Sequence, residues 1–180
     1  MGRDERIRLF CALRLPDDAI RQLVDWQAEH LHGGRGSRVV PAGNLHVTLA
    51  FLGSRHAGEV PAIASALSAA VVRAHGLRFL PRGYRETRSV GMLTFDDDGE
   101  RGRKLAERLF GLLEELGVYR REARPWLPHV TVLRFRERPR LDPPLPELRE
   151  VCPSDAAVYS SVLRSTGAQY EVLESVALTH

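Results

Sequence analysis

The sequence predicts an α+β fold built by duplicating one strand–helix–loop–strand unit, with the two copies related by a pseudo-twofold axis. Three observations carry the prediction. A short phrase occurs twice, as His46-Val47-Thr48-Leu49 and as His129-Val130-Thr131-Val132. A glycine that closes a helical stretch precedes the motif histidine by twelve positions in both places, Gly34 to His46 and Gly117 to His129. A strand leucine lies 37 positions ahead of the first histidine (Leu9) and 36 ahead of the second (Leu93). Matched spacing of this length is the mark of an internal repeat. Such an axis brings the two motif strands together at the interface between lobes, where clefts form. Residues 1–180 are therefore expected to form a single domain of two intertwined αβ lobes.

Ile7 to Leu15 alternates apolar and mixed residues and predicts a first strand. Pro16-Asp17-Asp18 punctuates it, with an aspartate placed to cap a helix. Ile20, Leu23, Val24, Gln27 and Leu31 follow at helical spacing, and Gly33-Gly34 stop that helix. A loop carrying Arg35 and Arg38 leads to the first motif strand, Leu45 to Leu52, which Gly53 ends. A second helix is expected over Glu59 to His75, with Ile63, Ala66, Leu67, Ala70 and Val71 as its buried stripe. Leu77 to Tyr84 reads as a strand broken near Pro81, and Ser89 to Phe95 as another that turns at Asp96-Asp97-Asp98-Gly99. A third helix, Glu100 to Leu116, presents Leu105, Leu109, Leu112, Leu113 and Leu116, and Gly117 terminates it. Val118 to Ala123 is a short strand in this reading. The second motif strand covers His129 to Phe135, and Arg136 to Pro146 is a Pro/Arg-rich loop. Ala156 to Leu163 and Tyr170 to Leu178 close the chain as a hairpin.

Along a strand, side chains alternate faces. His46 and Thr48 share one face of the first motif strand, and His129 and Thr131 share one face of the second. Chance placement of the chain's 7 His predicts only about 0.2 His-x-Thr triplets. Two imidazoles can divide acid and base work, because an imidazole pKa of about 6.5 allows either protonation state near neutrality. Two threonine hydroxyls can donate to a phosphate oxygen, so the constellation suits phosphoryl chemistry, which needs charge stabilised between an in-line nucleophile and leaving group. Arg134 can neutralise that charge. In a regular strand it points away from His129 and Thr131, so the strand must bulge or end before it if Arg134 is to reach the phosphate.

Composition excludes several classes. Hydrophobic content of 43% and charged content of 27% are those of a folded soluble protein. No apolar run approaches the ~20 residues that span a membrane, and Met1 to Arg6 is charged without a signal-peptide core. Cys11 and Cys152 do not make a disulfide framework, so a cytoplasmic protein is the expectation. Two histidines without acidic or cysteine neighbours do not fill a zinc site, and no G-x-S-x-G element is present. No metal and no cofactor is expected. Net charge is +3, and of the 26 Lys+Arg only Lys104 is lysine, a balance that permits a nucleic-acid partner without requiring one. Arg35, Arg38, Arg120, Arg121, Arg124, Arg136, Arg138 and Arg140 can form a basic rim or a solvated surface. Trp126, between Pro125 and Pro128, is a candidate base contact, whereas Phe51 has the parity of core residues. His30, His32, His56, His75 and His180 read as structural or solvated.

The sequence resembles the 2H phosphoesterase superfamily, and most closely its bacterial and archaeal RNA 2′,3′-cyclic phosphodiesterase (2′-5′ RNA ligase-like) branch. The resemblance lies in Ile7 to Leu13, in Val40-Pro41-Ala42-Gly43-Asn44-Leu45-His46-Val47-Thr48-Leu49-Ala50-Phe51-Leu52-Gly53, in Pro128 to Arg134, and in Ser160 to Leu173. One stretch departs: many relatives carry an aromatic residue after a Pro-Arg pair where this chain has Arg88-Ser89-Val90-Gly91-Met92-Leu93. The resemblance implies a bilobal α+β fold with two antiparallel β-sheets, flanking helices and a central cleft. It implies metal-independent hydrolysis of RNA 2′,3′-cyclic phosphate ends to 2′-phosphates. His129 would be the general base and His46 the general acid, with Thr48, Thr131 and Arg134 on the phosphate. A 2′-5′ ligation of RNA ends, with a ribose hydroxyl as nucleophile, is also implied. The expected partner is an RNA with a cyclic phosphate end, handled by a monomer without membrane or obligate protein partner. Small cyclic nucleotides or an ADP-ribose cyclic phosphate as substrate, a non-catalytic RNA-end module and a purely structural domain are the alternatives.

Overall fold

A computed structural model describes residues 5–179. The charged Met1 to Asp4 start and His180 lie outside the described residues. Eight strands and three α-helices follow one another as β1 (Arg6–Arg14), α1 (Asp17–His30), β2 (Ser37–Val39), β3 (His46–His56), α2 (Val60–Val71), β4 (Phe79–Glu86), β5 (Val90–Asp97), α3 (Arg101–Glu115), β6 (His129–Phe135), β7 (Asp155–Arg164) and β8 (Gly167–Ala177). Every pairing between these strands is antiparallel.

The expected two sheets are present as two halves, β3-β1-β7-β8 and β6-β5-β4, with β2 also on β6. They join at one residue pair, Val47 against Val130, so the hydrogen-bonded order runs continuously as β4-β5-β6-β3-β1-β7-β8. The repeat-equivalent strands match about the β6/β3 junction, β6 followed by β5 on one side and β3 followed by β1 on the other, as a duplicated unit requires. Each motif strand is the strand of its half that lies at the junction, so the two motifs meet where the halves meet.

The helices stitch the halves together. Helix α1 leaves β1 in the first half and packs on the second: the Trp26 ring meets Tyr84 of β4 at 6.3 Å. Its indole N–H donates to the Pro144 carbonyl at 2.7 Å. The Gln27 side-chain amide donates to the Val132 carbonyl of β6 at 2.8 Å. Helix α2 buries the predicted stripe Ile63, Ala66, Leu67, Ala70 and Val71 and packs on α3, β7 and β8. Helix α3 buries Leu105, Leu109 and Leu113, while Leu112 is half-buried and Leu116 exposed. Gly117 (φ +69°) turns the chain out of α3 as its sequence position implied.

Several local expectations are corrected. Asp17 and Asp18 lie inside the first turn of α1, where they face the positive end of the helix, and Pro16 occupies the capping position. That helix stops at His30, ahead of the glycines, because Leu31 leaves helical geometry to bury its side chain. Helix α2 ends at Val71 rather than His75. Residues 118–123 form no strand: Val118 is buried and Tyr119 stacks on Phe110 at 5.1 Å, which anchors the segment by side chains. The loop with Arg38 contains the short strand β2. The aspartates at the end of β5 do more than turn: the Asp97 carboxylate accepts the Gly102 and Arg103 amides at 2.9 and 2.7 Å and so caps α3.

Gly53 does not end β3. The strand runs on to His56 and pairs with β1 through two irregularities, in which Leu49 and Leu52 each fall between paired residues. Gly53 adopts φ +69°, a conformation open to glycine and costly for a β-carbon, and this allows the second irregularity.

Candidate active site

Both imidazoles are fixed in the same way. His46 Nδ1 lies 2.8 Å from the carbonyl of Asn44, and His129 Nδ1 lies 2.8 Å from the carbonyl of Leu127. A carbonyl only accepts, so each Nδ1 carries the hydrogen and each Nε2 is left as the nitrogen available for proton transfer. The repeated bond to the carbonyl two residues back is the pseudo-twofold expressed at the level of atoms. His46 Nε2 lies 3.0 Å from Thr48 Oγ1. In the neutral imidazole that nitrogen is a lone pair, and the threonine hydroxyl donates to it.

A cleft of about 320 Å³ is lined by His46, Thr48, His129, Thr131 and Arg134 together. The arginine reaches it by a bulge. Strand β6 pairs Thr131 with Met92 and Leu133 with Gly91, which leaves Val132 unpaired between them. The extra residue reverses the alternation, and Arg134 joins the face of His129 and Thr131. The first motif has its counterpart at Leu49, between Thr48 (opposite Ala12) and Ala50 (opposite Cys11). There the reversal brings Phe51 to the cleft face, 65% exposed. Its core parity is thereby corrected. Phe51 and Arg134 each stand five residues after a motif histidine, so they are equivalent positions of the duplicated unit. One is an aromatic ring and the other a cation, and the site is asymmetric at this point.

Aromatic rings surround His46. Phe10 lies 5.0 Å away and Tyr170 lies 5.5 Å away edge-on, between centroids. Burial lowers the His46 pKa to about 4; the Asn44 carbonyl opposes the shift, and the charges of His129 and Arg134 add to it. His46 is therefore neutral at pH 7.

Sequence reasoning left out Phe10, Tyr170 and Asn44, whose side-chain amide ties the motif loop to the Ala168 carbonyl at 2.9 Å. Phe10 had a visible signal, since it alternates with the leucines on the face of β1 that carries Arg8 and Arg14. Trp126 is half-buried against Phe79, and its indole N–H donates to the Thr48 carbonyl at 3.0 Å. Its edge also lines a second cavity beside the cleft. Among the rim arginines, Arg38 lines the cleft and donates to the Thr166 carbonyl, while Arg121 and Arg138 are held by Glu114 and Glu86. Arg35, Arg120 and Arg136 are exposed. His30, His32, His56 and His75 do not line the cleft. Among the described residues no cluster of three or more His, Cys, Asp or Glu could hold a metal ion, and no helix is long and apolar enough to cross a membrane.

Two His-x-Thr strands joined at a valine pair, with an arginine bulged into the cleft between them, define a two-histidine phosphoesterase. Comparison with known proteins gives the same class. The family described as LigT like Phosphoesterase matches residues 13–82. The RNA 2′,3′-cyclic phosphodiesterase of Thermus thermophilus is 33% identical, over 96% of this chain and 90% of that protein. The Escherichia coli protein of the same name is 29% identical, over 96% of this chain and 97% of that protein. The crystal structure of E. coli LigT complexed with 3′-AMP superposes with a TM-score of 0.82 at 29% identity, covering 98% of this chain and all of that one. The chain belongs to the LigT-like phosphoesterase family.

Proposed function

We propose that the protein hydrolyses 2′,3′-cyclic phosphate ends of RNA to 2′-phosphates. The observation that carries the reading is the matched anchoring of His46 and His129. Each imidazole has Nδ1 tied to a backbone carbonyl, and the two share one cleft with Thr48, Thr131 and Arg134. In this reading His129 Nε2 takes a proton from water as the water oxygen bonds to phosphorus. The P–O3′ bond breaks, and O3′ receives the proton of His46 Nε2. Thr48, Thr131 and Arg134 hold the non-bridging oxygens, where charge must be stabilised. Both proton transfers are supplied by imidazole. With a ribose 5′-hydroxyl attacking phosphorus in place of water, and O3′ leaving as before, the same machinery joins RNA ends through a 2′-5′ linkage.

A phosphate bound in the cleft changes the balance at His46. Burial and Arg134 disfavour the imidazolium there, and an arriving phosphodiester anion beside the ring favours it. Substrate binding thus charges the acid that expels O3′. Both full-length relatives carry the RNA 2′,3′-cyclic phosphodiesterase name, and E. coli LigT was crystallised with a nucleotide, which supports RNA as the substrate.

The test is incubation, with EDTA present, of an RNA oligonucleotide ending in a 2′,3′-cyclic phosphate. The expected product is a 2′-phosphate, formed at least ~100-fold more slowly by His46→Ala and by His129→Ala. A 3′-phosphate product would reverse the in-line geometry, and turnover unaffected by either variant would overturn the mechanism.

A further inference from the structure

The catalytic cleft has a neighbour. A second cavity of about 500 Å³ shares Thr48, Phe51 and His129 with it, so these residues lie between the two. Much of its lining is apolar and aromatic, including Met92, Phe110, Tyr119 and Trp126. Two arginines, Arg85 and Arg124, line it as well. Arg85 forms no ion pair among the described residues. Arg124 meets Glu122 at 3.5 Å, with the arginine side chain 88% exposed, a geometry of little strength in water.

These cations are surplus to the chemistry at the phosphorus. The reacting phosphate already has Arg134, two hydroxyls and two imidazoles. A mononucleoside cyclic phosphate has no second anion to offer Arg85 and Arg124. An RNA end does, in the phosphodiester one nucleotide upstream, and it also brings a second base. Aromatic and thioether surfaces accept the face of any base, and guanidinium forks suit a phosphodiester. We propose that the second cavity is a subsite for the penultimate nucleotide, with Arg85 and Arg124 as specificity-determining residues. The preferred substrate is then an RNA terminus of at least two nucleotides, with little dependence on sequence. This rests on the cyclic phosphodiesterase reading above.

The experiment measures kcat/KM for a mononucleoside 2′,3′-cyclic phosphate and for a dinucleotide ending in one, in wild type and in the double variant Arg85→Gln/Arg124→Gln. Wild type should prefer the dinucleotide by about tenfold or more, the scale of one stacked base with its phosphate contact. The variant should lose most of that preference, chiefly through KM, with the loss on the dinucleotide far exceeding that on the mononucleotide. Equal rates on both substrates in wild type, or an equal loss on both in the variant, overturn the subsite. Turnover of neither substrate by wild type overturns the hydrolase reading and this one with it.

Discussion

His46 is half-buried among Phe10, Tyr159 and Tyr170, and its pKa falls from 6.5 to about 4. The unfolded chain, with an ordinary imidazole, binds more protons than the folded chain between those two values. Stability contributed by neutral burial of His46 is therefore complete above about pH 6.5 and is lost as the pH falls toward about 4. Denaturant unfolding of the wild type should show a falling midpoint across that window, and His46→Gln should show a shallower fall. Identical slopes would mean that the free site does not hold the ring neutral. The identity of this residue was legible in the sequence, because the His-x-Thr phrase occurs twice. Its environment was only half legible: Phe10 and Tyr170 reach the ring from β1 and β8, strands whose pairing order no local pattern states.

At the scale of elements, two bulges place the site. Without the bulge at Val132, Arg134 would face away from the histidines, and without that at Leu49, Phe51 would be buried with Val47. Each irregularity has a donor from the opposite half of the duplication. Gln27 of α1, 2% exposed, donates to the carbonyls of Val132 and Val40 at 2.8 and 3.0 Å. Trp126 donates to the carbonyl of Thr48. A bulge disturbs the ladder, and a buried carbonyl must find a partner elsewhere. Gln27→Leu removes the amide, leaving the Val40 carbonyl without this donor and the Val132 carbonyl with the Val40 backbone amide alone, at a cost of about 1–3 kcal/mol. Chemical denaturation should show that loss, and KM should rise as the Val132 bulge relaxes and Arg134 shifts. Unchanged stability together with unchanged KM would separate Gln27 from the bulge. Helical spacing put Gln27 on the inner stripe of α1, yet nothing in the spacing announced what it would bond. Bulges are set by the partner strand, so alternation within β3 or β6 could not reveal them; only the presence of Arg134 at the wrong parity hinted at one.

The whole molecule is a duplicated unit folded back on itself. Repeat spacing, both motif strands, the stripe of α2 and the closing hairpin could be read from the sequence, since each is a local pattern. The exchange of α1 onto the opposite half and the single Val47–Val130 junction could not, since both depend on long-range packing. The symmetry gives two imidazoles with the same anchoring, and the asymmetry at Phe51 and Arg134 gives them different surroundings. The central claim is that this near-symmetric pair divides acid from base across one phosphate. The direct measurement uses a ribonucleotide 2′,3′-cyclic substrate in which sulfur replaces the bridging 3′ oxygen, a leaving group that departs as thiolate without a proton. His46→Ala should recover about tenfold or more of its lost rate on the sulfur substrate, relative to the oxygen substrate, and His129→Ala should recover nothing comparable. Recovery by His129→Ala instead, or by neither variant, would contradict the assignment.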